Sequence, residues 1–186
     1  MRKSLISRWK KAKGGFFATK ATFPYVPRGV LYGQATEDSC VPACTRMLIH
    51  DLLPEAQERI EYSESYLRIA FKTDRSGSSL KAIPTVLGQA GVLHYVYRAD
   101  LQIEELTSAL QKASVIVRLS GNNLTEGHAV IVDAIENDLV AIRDPLPRSS
   151  GSAYRIRLAD FLAAWLPAPL SSGQAVIMVN SGRGNL

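Results

Sequence analysis

The chain has 186 residues, 46% of them hydrophobic, which suits one well-filled core or two small lobes sharing a cleft. No run of about 18 apolar residues occurs, so a membrane-spanning helix is excluded on length. The net charge of +5 is unevenly placed: eight of the 22 basic residues precede Glu37, the first acid, leaving 14 basic against 17 acidic residues in the remainder.

Residues 1–28 read as a basic, partly flexible N-terminal segment, with the globular domain spanning 29–186. The segment holds a short helix around Ser4 to Lys11, a Gly14-Gly15 joint and an extended stretch with Pro24 and Pro27. Its charge fits an arm for nucleic acid or acidic surfaces, and equally a solvated tail or a junction to a larger protein. A secretory signal would continue into an apolar run and a small-residue cleavage site; neither follows, so no signal peptide and a cytoplasmic location are expected.

Compact structure is expected from near Val30. A helix beginning at Cys40 tolerates Pro42 in its first turn and buries one face, through Val41, Cys44, Met47, Leu48 and Leu52. Helices follow over Ser63 to Phe71 and Ser79 to Gln89, the second stopping at Gly91. VLHYVYR at 92–98 reads as a strand and Ile103 to Lys112 as an amphipathic helix. From Ser114 the pattern turns to strands: SVIVRLS, GHAVIVDAIENDLVAIRDP, AYRIRL and QAVIMVN, interrupted by one helix over Leu158 to Leu166. Helices first and an antiparallel sheet afterwards is an α+β arrangement with a cleft between the two lobes.

Cys40 and Cys44 are the two cysteines. Four residues apart on a helix, their Cβ atoms would lie roughly 5–6 Å apart, whereas a disulfide needs about 3.5–4.5 Å. Both are read as reduced thiols. Cys44 falls on the apolar face as a core residue; Cys40, at the helix N-terminus, is either a packed thiol or a nucleophile whose pKa the helix lowers. His50, near a helix C-terminus, is placed where an imidazolium is favoured, and His94 in a strand; neither is assigned to catalysis. One Cys pair on a helix face is a poor match to a structural zinc site, so no metal and no organic cofactor is expected.

If Glu136-Asn137-Asp138 form a turn, strands 128–135 and 139–146 pair so that His128 and Asp144 become diagonal neighbours on one face. A slip of one residue would send them to opposite faces. A cysteine nucleophile needs an imidazole, a group that orients the imidazole, and donors for an oxyanion. Cys40, His128, Asp144 and, with the Cys40 backbone N–H, Gln34 can fill these roles.

Gln34, five residues, Cys40, a helix through Ala43 and Met47, and later GHAVIV followed by IRDP resemble the C39 peptidases, a family of papain-like cysteine peptidases. AYRIRLADFLAAW resembles the family's strand leading into a helix, and the resemblance covers about residues 30 to 180. It implies a papain-like fold with an N-terminal helical lobe on a C-terminal antiparallel sheet. It also implies Gln34, Cys40, His128 and Asp144 as the functional set, and cleavage of a protein after Gly-Gly or small residues. The position after the nucleophile is usually glycine in this family; here it is Val41, which narrows the entrance or changes the substrate.

A papain-like domain with a basic junction and no transporter segment resembles toxins delivered between bacteria, for instance by type VI secretion. The partners implied are a protein substrate, which the basic arm favours as DNA-associated, and a cognate immunity protein, with no membrane and no direct nucleic-acid partner. Gly14-Gly15 is either a site this peptidase could cut, in cis or in trans, or a flexible joint. Two rivals stand beside the peptidase: a deamidase or acyl-transferring toxin on the same Cys-His-Asp fold, and a non-catalytic module whose arm binds nucleic acid.

Overall fold

The structure, a computed structural model, describes residues 15–17, 19–120, 127–166 and 173–178. Its centre is a seven-stranded sheet of β1 (Phe23–Pro24), β2 (Tyr95–Leu101), β3 (Val115–Ser120), β4 (Gly127–Glu136), β5 (Leu139–Asp144), β6 (Ser152–Arg157) and β7 (Gly173–Met178). The order across the sheet is β1-β6-β5-β4-β3-β7-β2, and every pairing is antiparallel. The central strands β3, β4 and β5 are near-continuous runs of Val, Ile and Ala because both faces are covered.

Two apolar clusters lie on opposite faces. One gathers Cys44, Met47, Leu48, Leu67, Ile83 and Leu87 from α1 (Cys40–Leu52), α2 (Glu64–Ala70) and α3 (Ile83–Gln89) against Ile116, Ala129 and Ile131 of the sheet. The other seats α4 (Ile103–Leu110) and α5 (Leu158–Trp165) on Val117, Val130 and Ile142. The chain is thus α+β as the element order implied, with helices on both faces of the sheet. Among the described residues no helix is long and apolar enough to cross a membrane.

Three expectations shift. Helix α1 is buried on nearly all sides from Cys40 to His50, rather than along one stripe, because α2 and α3 close over the face turned away from the sheet. The strand expected from Val92 begins at Tyr95, after a turn opened by Gly91 at φ 86°. Packed structure also reaches back beyond Val30: Phe17 is 3% exposed, and Phe23 and Pro24 pair with Arg155 and Tyr154 of β6. The helix expected around Ser4 to Lys11 lies outside the described residues.

The β4–β5 hairpin reaches the expected register by an unexpected route. Its turn has two residues, Asn137 and Asp138, with φ 50° and 59°, and Glu136 pairs with Leu139. Carried on unbroken, that register would set Ile131 opposite Asp144 and turn His128 to the other face. A bulge between Val132 and Ala134 absorbs one residue, so Ile131 pairs with Arg143 and His128 becomes a diagonal neighbour of Asp144.

The bulged residue, Asp133, is held by a buried cation. Arg143 donates from Nε and Nη2 to its carboxylate at 2.8–3.1 Å and from Nη1 to Asp51 of α1 at 2.7 Å and to the Val30 carbonyl at 2.8 Å. Tyr25 and Ser114 hydroxyls donate to the same Asp133 carboxylate. Removing the cation would leave the buried Asp133 and the half-buried Asp51 without it, and breaking a buried pair costs about 3–5 kcal/mol. Arg143→Met should therefore lower the urea midpoint strongly, and the folded remainder should lose peptidase activity as the bulge relaxes. A variant with wild-type stability by urea titration would show that the cluster does not hold the register.

Candidate active site

Cys40 opens α1, where unpaired backbone N–H groups and the helix dipole favour negative charge. Ser39 precedes it and makes no side-chain cap; its hydroxyl instead donates to the Glu64 carboxylate and accepts from the Thr36 N–H at 3.0 Å. Glu64 also accepts from the Ala35 N–H at 2.7 Å, so the first residue of α2 braces the loop leading into Cys40. One turn on, Cys44 donates to the Ala129 carbonyl at 3.3 Å and pins α1 to the start of β4.

Cys40, His128 and Asp144 come together where α1 meets the beginning of β4 and the end of β5. All three are buried, at 8%, 2% and 0% exposure. The imidazole hydrogen-bonds Cys40 on one side, and its Nε2–H donates to Asp144 Oδ1 at 2.7 Å on the other. Asp144 also accepts from Leu146 N–H at 2.9 Å, Phe16 N–H at 2.6 Å and the Tyr154 hydroxyl at 2.7 Å.

Burial opposes every charge here, and the contacts overcome it. Desolvation pushes the Asp144 carboxyl up, yet the His128 charge and hydrogen bond, with the Tyr154 hydroxyl and the Phe16 N–H, bring it below the usual range. Burial pushes His128 down, and Asp144 and Cys40 raise it well above an ordinary imidazole. Burial raises the Cys40 thiol, and the bond to His128, its charge, and the N–H groups of Ala129 and Val41 lower it below a free thiol. Both shifts run in the direction of a thiolate beside an imidazolium. Cys44, buried with no such partner, is raised well above the ordinary thiol value.

Gln34 is brought to the same loop, 2% exposed, with its N–H on the Pro145 carbonyl at 2.9 Å. Its Nε2 donates to the Thr36 and Glu37 carbonyls at 2.6 and 3.0 Å, and Oε1 is buried with no hydrogen-bond partner. The amide is therefore turned to its own loop. His50 departs from expectation: its pKa is lowered by burial and by Arg46, which outweigh the helix C-terminus, and its Nδ1 meets the Tyr32 hydroxyl at 3.1 Å. His94 is exposed in the bend before β2.

Gly14 lies outside the described residues, but Gly15 is buried against the acid. A Cβ there would stand 2.2 Å from Asp144 Oδ2. The Gly15–Phe16 peptide thus spends its N–H on Asp144, on the side of the imidazole away from Cys40. Among the described residues no group of three or more His, Cys, Asp or Glu is placed to hold a metal ion.

Sequence reasoning missed Tyr154, Glu64 and Phe16. Tyr154 was within reach, since AYRIRL pairs with the strand ending in Asp144 and places a hydroxyl on its buried face. Glu64 and Phe16 act across 25 or more residues with no motif to mark them.

The Peptidase C39 family model matches residues 30–171. Three solved structures have a similar fold. One is the peptidase domain of Streptococcus ComA, a bifunctional ABC transporter involved in quorum sensing, at TM-score 0.55 and 18% identity, covering 80% of this chain and 97% of that one. Another is a double-glycine motif protease from an AMS/PCAT transporter in complex with the leader peptide, at 0.58 and 13%, covering 84% and 95%. The third is a C39-like peptidase from Bacillus anthracis, at 0.54 and 13%, covering 87% and 98%. No curated protein sequence matches the chain. With more than half its length matched, and a buried Cys-His-Asp chain inside the matched span, this protein belongs to the Peptidase C39 family of cysteine peptidases.

Proposed function

We propose that Cys40, His128 and Asp144 form the catalytic chain of an endopeptidase that cuts protein substrates after Gly-Gly or another small-residue pair. The Cys40 thiolate attacks the carbonyl carbon, and the His128 imidazolium gives its proton to the leaving amine as the C–N bond breaks. Water then hydrolyses the thioester, its proton passing to His128 and its oxygen to the released carboxylate. Asp144 holds the imidazole in one tautomer and balances its charge. The single observation supporting this is the linked pair of contacts on His128, thiol on one nitrogen and a fully satisfied carboxylate on the other.

Substrate class comes by analogy with the double-glycine motif protease of similar fold. Val41, which follows Cys40, is 2% exposed and packs into the core cluster around α1. The finer reading is that the peptidase works as an antibacterial effector inside a target bacterium and is neutralised by an immunity protein. Its support is the basic N-terminal segment joined to a peptidase domain, which also makes a DNA-associated substrate the preferred target. Expressed in a bacterial host, wild type alone should arrest growth and create a new N-terminus after Gly-Gly in one host protein, detected by N-terminal proteomics. Identical growth and proteomes for wild type and Cys40→Ala would remove the effector reading.

Gln34, with the Cys40 N–H, is the proposed oxyanion donor. Because its Nε2 is engaged with Thr36 and Glu37, the role requires one of those bonds to be exchanged for the developing oxyanion. Gln34→Ala should then lower kcat by roughly 10²–10³ with little change in KM. A loss confined to KM or to stability would assign Gln34 to holding the loop instead.

A further inference from the structure

The strap Gly15-Phe16-Phe17 lies outside the span the family model matches, yet it touches the site from behind. The Phe16 ring lies parallel to the His128 ring, with centroids 5.7 Å apart and planes within 1°. Its own N–H is one of the four donors to Asp144. Phe17 is buried edge-on to Phe16 and Tyr154. Further anchors fix the strap: Lys20 pairs with Asp160 of α5 at 3.1 Å, β1 adds to the β6 edge beside Tyr154, and Tyr25 donates to Asp133. Gly15 fits because any side chain would collide with the Asp144 carboxylate and the Ser152 hydroxyl.

We infer that this strap is a positioning element of the active site: the Phe16 N–H fixes the Asp144 carboxylate, and its ring excludes water from the His128–Asp144 hydrogen bond. The inference rests on the Cys40–His128–Asp144 reading above. Water admitted to that bond would raise the local dielectric and weaken the attraction that keeps the imidazole protonated and the thiol ionised. Of the other groups near the pair, Tyr154 and Cys44 have raised pKa values and stay neutral at neutral pH, and Arg143, on the opposite face of β5 with its raised value, stays charged. The strap therefore acts on the thiolate through the imidazole. A peptide held this way is also withheld from Cys40, so cutting after Gly15 in cis would first require the strap to leave.

The test is the rate of Cys40 carbamidomethylation by iodoacetamide, read by peptide mass spectrometry in the full chain at pH 6 and pH 9.5. An ordinary thiol, pKa about 8.5, is almost wholly protonated at pH 6, so reaction there reports the ion pair. Wild type should react readily at both. Phe16→Ala, which removes the ring, and Gly15→Ala, which pushes the strap off the carboxylate, should each lose at least about tenfold at pH 6, one pKa unit, and keep the rate at pH 9.5. Phe16→Tyr should restore the pH 6 rate. Near-wild-type pH 6 rates in both variants, or equal losses at both pH values, would overturn the inference while leaving the catalytic chain intact. A wild-type Cys40 inert at pH 6 would remove both readings.

Discussion

A carboxylate with no exposed surface must find all its hydrogen bonds within the protein, and Asp144 draws them from four parts of the chain. His128 comes from the start of β4, Leu146 from the loop that follows the acid, Tyr154 from β6, and Phe16 from the N-terminal strap. Each donor lowers the cost of keeping a negative charge out of water, and the charge in turn holds an imidazolium beside a thiol. The fold is arranged to deliver these donors to one point. The sheet order puts β5 between β4 and β6, and β1 brings the N-terminal segment to the outer side of β6.

The same arrangement separates two buried charged networks by one residue. Arg143 and Asp144 are consecutive on β5 and face opposite sides of the sheet. Arg143 faces α1 and binds Asp51 and Asp133, tying the long helix to the strands. Asp144 faces away and serves the imidazole. Both depend on the bulge at Asp133, which turns the parity of β4 so that His128 and Asp144 share a face. One network thus sets the geometry on which the other acts, and the register of a single hairpin links stability to chemistry.

Much of this was legible in the sequence. The period of apolar residues located the helices and strands, and the His-to-Asp spacing across a hairpin gave the correct diagonal pair. That success contained an error in the turn: a two-residue turn plus a bulge gives the same register near the site as the three-residue turn expected. Local patterns cannot tell these apart, because the bulge is stabilised by Arg143 and Tyr25, the latter 108 residues from its partner. Gln34 was placed in the right loop, but the direction of its amide depends on which carbonyls the loop offers. His50 was misjudged because a helix-end argument considers the backbone dipole and not the burial that follows from tertiary packing. The strap was read as an appendage because the contacts of Phe16 and Phe17 that tie it to the site, with Asp144, His128 and Tyr154, are made to residues more than 100 positions away.

The central claim is that Cys40 is a nucleophile poised for a carbonyl following small residues. The direct measurement is ¹³C NMR of the protein with a peptide ending in Gly-Gly-aldehyde, labelled at the aldehyde carbon. The account predicts that wild type converts the carbonyl signal into a tetrahedral hemithioacetal signal, and that Cys40→Ala does not. An aldehyde signal unchanged in wild type, or a tetrahedral adduct that persists in Cys40→Ala, would contradict it.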